Sequence, residues 1–134
     1  MIKKILVIIV LFAIVYSCNT KTQKVPETDV EVATAFVRDI LGNKFKEAEQ
    51  YLLKDEANIE MFKRFQQKYT ANDKAKLEKY KEANIIVNEI SYEGDSVCIF
   101  NYSNSYIRDV KTKLKVVRID NKWLIDLKYF TGNP

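Results

Sequence analysis

The spacing of apolar residues changes once along this chain, near Asn84, and this change constrains the fold more than any other feature. Before Asn84, apolar side chains recur every three to four residues, which is the period of an amphipathic helix. After it they recur every second residue, which is the period of a strand. Helices that precede a run of consecutive strands indicate an α+β fold rather than an alternating α/β fold. We therefore expect N-terminal helices packed on a four-stranded antiparallel meander sheet.

The helical half is predicted to contain three helices and a fourth segment that is helical or loop-like. Thr28 and Glu31 have the spacing of a capping box, in which each side chain accepts the other residue's backbone N–H, and they mark the start of the first helix. Gly42 follows the last periodic residue and is expected to end this helix as a C′ glycine. A short second helix follows directly. Residues 55–58 break and restart the chain, and the lysine-rich piece 74–81 comes last.

The second half is predicted to hold four strands joined by short turns. The first begins at Asn84 and has a mostly apolar face. Residues 93–95 form a hairpin connection to the second strand, residues 96–103. The third is a long strand over residues 106–119, whose lysines form a solvated face.

The final strand follows a turn at residues 120–121. One face of it is predicted to carry four apolar or aromatic side chains, those of Trp123, Ile125, Leu127 and Tyr129. Asp126 and Lys128 occupy the alternate positions. Because successive side chains of a strand point to opposite faces, these two are expected to point away from the core.

The first 18 residues have the order of a secretory signal. Lys3 and Lys4 are followed by twelve apolar or aromatic residues, and then by Ser17 and Cys18. Residues 15–18 resemble a bacterial lipobox, in which signal peptidase cuts before the cysteine and the thiol is diacylated. A transmembrane helix needs about 20 apolar residues, so this shorter run favours a cleaved leader over a membrane span. Simple secretion is the other alternative.

We therefore predict a lipoprotein signal peptide over residues 1–17, a lipidated Cys18 with a tether over residues 18–26, and a single domain over residues 27–134. The expected location is the cell envelope, with the membrane-anchored domain facing the periplasm or the exterior. Loss of the two leader lysines lowers the net charge from +4 to +2. A nearly neutral chain whose charges alternate in sign is not expected to bind nucleic acid.

The order of three short motifs resembles a known superfamily. These motifs are residues 33–36 (Ala-Thr-Ala-Phe), residues 42–48 (Gly-Asn-Lys-Phe-Lys-Glu-Ala) and residues 120–126 (Asp-Asn-Lys-Trp-Leu-Ile-Asp). The chain looks like the cystatin-like cone of the nuclear transport factor 2-like superfamily, and more narrowly like small bacterial lipoproteins that carry a domain of unknown function in it. The resemblance covers about residues 26–130. It implies a curved sheet around the first helix and a conical cavity, but no particular reaction.

Five polar or aromatic residues are expected to line such a cavity: Tyr51, Asn88, Tyr92, Asn101 and Tyr102. These groups can hold a small polar ligand, but they are poor general bases at neutral pH. The chain has no histidine, and lipidation of Cys18 leaves Cys98 as its only thiol. No catalytic residue, metal or cofactor is therefore predicted. Cys98 is expected to be a small buried thiol, with a reactive or intermolecular cysteine as the alternative.

The sequence thus favours a lipid-anchored envelope protein that binds a small ligand or a partner protein without catalysing a reaction. One alternative is an enzyme of the isomerase or dehydratase type that uses a buried carboxylate, which an Asp or Glu in an apolar pocket would favour. Another is a structural homodimer, which a strictly monomeric chain would exclude.

Overall fold

The computed structural model describes residues 24–131, which fold into four α-helices followed by a four-stranded sheet. Because the helices precede the strands, the α+β prediction is confirmed. The predicted leader, Cys18 and the first part of the tether lie outside the described residues, so they stay predictions.

The helices are α1 (Asp29–Leu41), α2 (Phe45–Ala48), α3 (Glu56–Thr70) and α4 (Lys74–Glu82), with one 3₁₀ turn (Glu49–Tyr51) after α2. The three longer helices each start at a side chain that accepts the backbone N–H three residues on: Thr28, Asp55 and Asp73. At α1 the predicted capping box is confirmed. Thr28 Oγ1 accepts from Glu31 N at 3.2 Å, and Glu31 Oε2 accepts from Thr28 N at 3.1 Å.

α1 ends at Leu41, where the sequence predicts its end, but the left-handed residue that follows is not the glycine. Gly42 has a φ of −78° and occupies the C-cap, while Asn43 has a φ of 57°. The prediction of a C′ glycine is therefore wrong by one position, because asparagine tolerates the left-handed conformation. Gly42 instead avoids a steric contact, because a Cβ atom at this position would lie 3.2 Å from the carbonyl oxygen of Arg38.

The strands are β1 (Ile85–Tyr92), β2 (Val97–Asn104), β3 (Thr112–Ile119) and β4 (Lys122–Thr131), paired antiparallel in the order β1-β2-β3-β4. The predicted meander is thus confirmed. Gly94, with a φ of 66°, turns the β1–β2 hairpin. Asp120 and Asn121 turn the β3–β4 hairpin with φ values of 49° and 62°. Two successive positive φ values give the type I′ turn, whose twist matches that of the strands.

The predicted long strand over residues 106–119 is wrong in its first half. Residues 105–111 form a loop of bends and turns, and only the second half of the predicted strand is β3. The side-chain oxygen of Asn104 accepts the backbone N–H groups of Tyr106 and Ile107 at 3.0 and 2.9 Å. This local hydrogen bonding replaces the pairing with a neighbouring strand and turns the chain out of the sheet.

The core lies between α1 and the sheet and is filled with side chains. The largest apolar ones that are fully buried come from β2, β3, β4, α1 and the segment after the 3₁₀ turn: Phe100, Leu114, Val116, Ile125, Val37, Leu41 and Leu52. Burying a side chain of this size contributes about 1.5–3 kcal/mol. Cys98 is fully buried among them, where the sequence predicted a buried thiol.

The alternation predicted for β4 holds as far as Leu127, which is 3% exposed in the core. After Asp126 the pairing with β3 shifts register, so the residues after Leu127 no longer follow the simple two-residue period. Asp126 pairs with Lys115 rather than with a core-face residue, but it is only 6% exposed because Asn58 of α3 contacts its carboxylate. Tyr129 is 57% exposed, so the prediction that it faces the core is wrong. Tyr129 instead lies under the ammonium of Lys115, 3.8 Å from the ring centroid.

The two edges of the sheet differ. At the β4 edge, Leu53 N donates to the carbonyl oxygen of Ile125 at 2.9 Å, and Leu52 forms a parallel bridge to the same residue. At the other edge, β1 pairs only with β2 within residues 24–131. A bulge after Val87 interrupts the two-residue period predicted for β1, so Val87 and Ile90 share one face. This face is uncovered over most of its length, since the two residues are 46% and 38% exposed.

Candidate functional site

Two grooves flank the segment 24–27, through which the chain leaves the folded domain toward Cys18. The first, the Tyr51–Trp123 groove, has a volume of about 520 Å³. The second, the α1–β1 groove, has a volume of about 580 Å³. Pro26 lines both. Both volumes fall within the range of about 300–1,000 Å³ that is usual for small-molecule sites.

The Tyr51–Trp123 groove combines aromatic faces with amide groups. Gln50 and Tyr51 come from the 3₁₀ turn, and Asn121 and Trp123 come from the β3–β4 hairpin. The bridge between Leu52 and β4 holds these two elements side by side. An aromatic ring offers a flat apolar surface, whereas an amide offers both a donor and an acceptor. The groove therefore suits a ligand that has one apolar face and several hydrogen-bonding groups.

Burial keeps the Tyr51 phenol neutral. It raises the pKa of Tyr51, and the nearby carboxylate of Asp39 raises it further. Burial also raises the pKa of Asp39, against an opposing effect from Lys44. A neutral phenol can both donate and accept a hydrogen bond, so Tyr51 contributes ligand-binding capacity rather than charge.

The α1–β1 groove is more open and more apolar. Val30, Ala35 and Ile85 form much of its lining, and Arg38 lies at its rim. Arg38 Nη1 donates to the carbonyl oxygen of Ala83 at 2.8 Å, so this guanidinium already fastens α1 to the chain before β1. The guanidinium of Arg38 is thus already engaged in a hydrogen bond within the protein, and the groove offers mainly apolar surface.

The structure does not bring the five predicted cavity residues together. Tyr51 lies in the groove described above, while Tyr102 is buried in the core, where burial raises its pKa. Asn88 lies on the outer face of the sheet, with its Nδ2 3.4 Å from Asn101 Oδ1. Tyr92 is 59% exposed at the end of β1. Adjacent residues of one strand face opposite sides, so Asn101 and Tyr102 were not compatible with one cavity.

A cluster that the sequence did not predict lies at the start of α1. Asp29 is 8% exposed, and its Oδ2 atom is buried without a hydrogen-bond partner among the described residues. Burial raises the pKa of the Cys98 thiol to about 12, and Asp29 adds to this effect. A hydrogen bond with Asp29 raises the pKa of Tyr92. An acidic residue in the first turn of a helix is common at the surface, and no sequence pattern indicated the burial of Asp29.

The second buried carboxylate, that of Asp126, belongs to a structural network. Asn58, fully buried on α3, donates from Nδ2 to Asp126 Oδ1 at 3.3 Å and accepts from Leu127 N at 2.7 Å. Lys128 Nζ lies 2.7 Å from Asp55 Oδ2 and 3.7 Å from Asp126 Oδ1. These bonds fasten α3 to β4. The carboxylate of Asp126 therefore has a structural role.

Over residues 24–131, no group of three or more Cys, Asp or Glu side chains is arranged to hold a metal ion. No helix in this same part of the chain is both long enough and apolar enough to cross a bilayer.

Comparison with known proteins found no match: no family model, no curated protein and no solved structure is significantly similar to this chain. The resemblances to a lipoprotein and to the nuclear transport factor 2-like superfamily therefore rest on the sequence motifs alone.

Proposed function

We propose that this chain is a lipid-anchored binding domain of the cell envelope, with the cone architecture of the nuclear transport factor 2-like superfamily. Lipid on Cys18 holds it to the membrane, and the Tyr51–Trp123 groove holds a small ligand or a peptide segment. The order of charge, apolar run and Ser17-Cys18 in the leader supports the anchor. A diacylated cysteine supplies two acyl chains, which is sufficient for stable anchoring.

The position of the groove is the observation that carries the proposal. Val25, Pro26 and Glu27 form part of its wall, and Cys18 precedes Lys24 by six residues. Six extended residues span at most about 20 Å. The anchor thus keeps the groove close to the membrane surface, where it can meet ligands of the envelope.

Lipidation is tested by mass spectrometry of the native protein. We expect the mature chain to begin at Cys18 with the added mass of a diacylglycerol. Cys18→Ser should abolish the modification, and the matched variant Cys98→Ser should retain it. An unmodified Cys18 thiol or an intact start methionine would contradict the proposal.

Ligand binding is tested by fluorescence, because Trp123 is the only tryptophan of the chain and lines the groove. The full chain in lipid vesicles is titrated with two defined probes, a trimer of N-acetylglucosamine and an alanine-rich tetrapeptide. We expect one of them to change the emission in a saturable way. Tyr51→Ala should weaken binding about tenfold, which corresponds to about 1.4 kcal/mol and to the loss of one aromatic contact.

Tyr129→Ala is the matched control, because Tyr129 is an exposed tyrosine outside the groove. It should leave the affinity unchanged. If neither probe gives a saturable change, or if the two tyrosine variants weaken binding equally, the groove is not the binding site.

An enzyme that uses a buried carboxylate is the second candidate, and the unpartnered Oδ2 of Asp29 is the observation that favours it. It is the weaker proposal, since Asp29 lines neither groove. If Asp29 is catalytic, Asp29→Asn should abolish turnover of any substrate found while leaving the probe affinity intact.

A further inference from the structure

The open edge of β1 carries exposed apolar side chains that are self-complementary. Core-face residues of β2 identify the core face of β1, because directly paired residues of antiparallel strands point to the same side. Val87 pairs with Tyr102, Ile90 with Phe100, and Tyr92 with Cys98.

All three of these β2 partners are buried. Val87, Ile90 and Tyr92 therefore share the core face of β1, where they are 46%, 38% and 59% exposed. α1 covers them only in part, through the contact between Asp29 and Tyr92. A long edge strand with an uncovered apolar face favours pairing with a further strand.

A bulge at Asn88 determines the register in which this edge can pair with a copy of itself. The register shifts between Val87 and Glu89, so the core-face positions are odd-numbered before the bulge and even-numbered after it. In an antiparallel pairing of two β1 strands, Val87 can then lie opposite Ile90 of the second copy. Ile85 lies opposite Tyr92 in the same register. Each core-face side chain meets a core-face side chain, as a two-fold symmetric interface requires.

The charges of β1 agree with this register. Glu89 is the only charged residue of the strand, and it would lie opposite Asn88 of the second copy rather than opposite a second carboxylate. Like charges directly opposite each other would destabilise the pair. Tyr92 of one copy would also meet Ile85 of the other, a residue that lines the α1–β1 groove.

We propose that a second copy of this chain pairs with β1 edge to edge, in the register that places Val87 opposite Ile90, to form one continuous eight-stranded sheet. Backbone hydrogen bonds between the two β1 strands hold the pair together, and the apolar side chains of the core face pack across the dyad. The proposal depends only on the described domain and is independent of the ligand and of the lipid on Cys18.

The register is tested by disulfide formation between two differently tagged full-length chains in the membrane, one with Val87→Cys and the other with Ile90→Cys. Opposite residues bring their Cβ atoms to about 4.5–5.5 Å, close to the distance that a disulfide spans. We expect mild oxidation to give a covalent heterodimer. Two copies of the same variant are offset by about two strand positions, or roughly 7 Å, because Val87 and Ile90 pair with residues only two apart on β2, and they should cross-link less.

The oligomeric state gives the second test. The full chain in detergent micelles should be a dimer, and Ile90→Lys should make it a monomer, because a charge then enters the apolar contact. Ile119→Lys is the matched control, since Ile119 is also an exposed strand isoleucine, 42% exposed on β3, and it should stay dimeric.

Three outcomes would overturn the proposal: a monomeric wild-type chain, loss of the dimer in both lysine variants, or a heterodimer no more abundant than the homodimers. If the wild-type chain is monomeric but binds an added β-strand peptide, the β1 edge pairs with a strand of another protein rather than with a second copy.

Discussion

The two outer strands of the sheet are both rich in apolar residues, but they lie in different environments. β4 is covered along its edge by the segment around Leu52 and is fastened to α3 through Asn58. β1 has neither kind of cover within residues 24–131, although it contains three isoleucine or valine residues in its first three positions. An apolar strand sequence therefore does not determine burial. What decides it is whether another element reaches that strand.

The comparison also shows what secures a sheet edge in a small domain. At β4 the cover consists of one backbone hydrogen bond, one bridge and a buried asparagine that bonds both a side chain and the backbone. Each bond is modest by itself, about 0.5–1.5 kcal/mol, but loss of one partner leaves the others buried and unsatisfied. The β4 edge should therefore contribute much more to stability than the β1 edge.

The largest expected effect comes from truncating the same residue type on the two strands. Ile125→Ala on β4 removes a fully buried side chain and should lower the free energy of unfolding by about 3–4 kcal/mol. Ile90→Ala on β1 should cost less than about 1 kcal/mol in the monomer, because this side chain already contacts solvent. Urea unfolding followed by Trp123 fluorescence measures both. Equal losses would show that β1 is covered in solution.

The next effect concerns the two asparagines that bridge elements. Asn58→Ala leaves Asp126 and the backbone N–H of Leu127 buried without their partner, and it should cost about 2–3 kcal/mol. Asn88→Ala breaks only long contacts of 3.4 Å at an exposed position, and it should change stability by less than about 0.5 kcal/mol. The same unfolding measurement applies. If only Asn88→Ala strongly lowered the free energy of unfolding, the β1 edge would contribute more to stability than the β4 edge.

Several features that depend on local chemistry were predicted correctly from the sequence. The capping box at Thr28, the order of helices and strands, and the β3–β4 turn all follow from residues close together in the chain. The burial of Asp126 did not follow, because it depends on Asn58, 68 residues away. The exposure of Tyr129 did not follow either, because it depends on a register shift that no two-residue period shows.

The candidate site was less predictable than the fold. Of the five expected cavity residues, only Tyr51 lines one of the two grooves, because a cavity depends on which elements meet and not on the polarity of single residues. Trp123 was predicted as a core residue of the last strand, and its place in the groove depends on the 3₁₀ turn that lies beside that strand. Asp29 shows the same dependence on distant parts of the chain, since its contacts Tyr92 and Cys98 come from the β1–β2 hairpin.

The smallest expected effect is the part of the pH dependence that the Asp55–Lys128 pair contributes on the β4 side. Hydrogen bonds from Lys128 and from the backbone N–H of Asn58 lower the pKa of Asp55 from its ordinary value of 3.8. A carboxyl group with a lowered folded-state pKa contributes stability above its unfolded value and loses that contribution as the pH falls through the folded value. Stability should therefore decline below about pH 4. Asp55 and Lys128 are both partly exposed, so high salt should reduce the effect.

Variants of the pair isolate this contribution. Asp55→Asn retains an N-cap side chain for α3 but removes the titrating group, and Lys128→Met removes the main cause of the pKa shift of Asp55. Each should flatten the acid limb of the curve of unfolding free energy against pH. Because the pKa of Lys128 is raised from 10.5, the pair should also lose stability as the pH rises above that value. If neither variant changes either limb, the ion pair does not contribute to closing the β4 edge, and Asn58 alone accounts for the difference between the two strands.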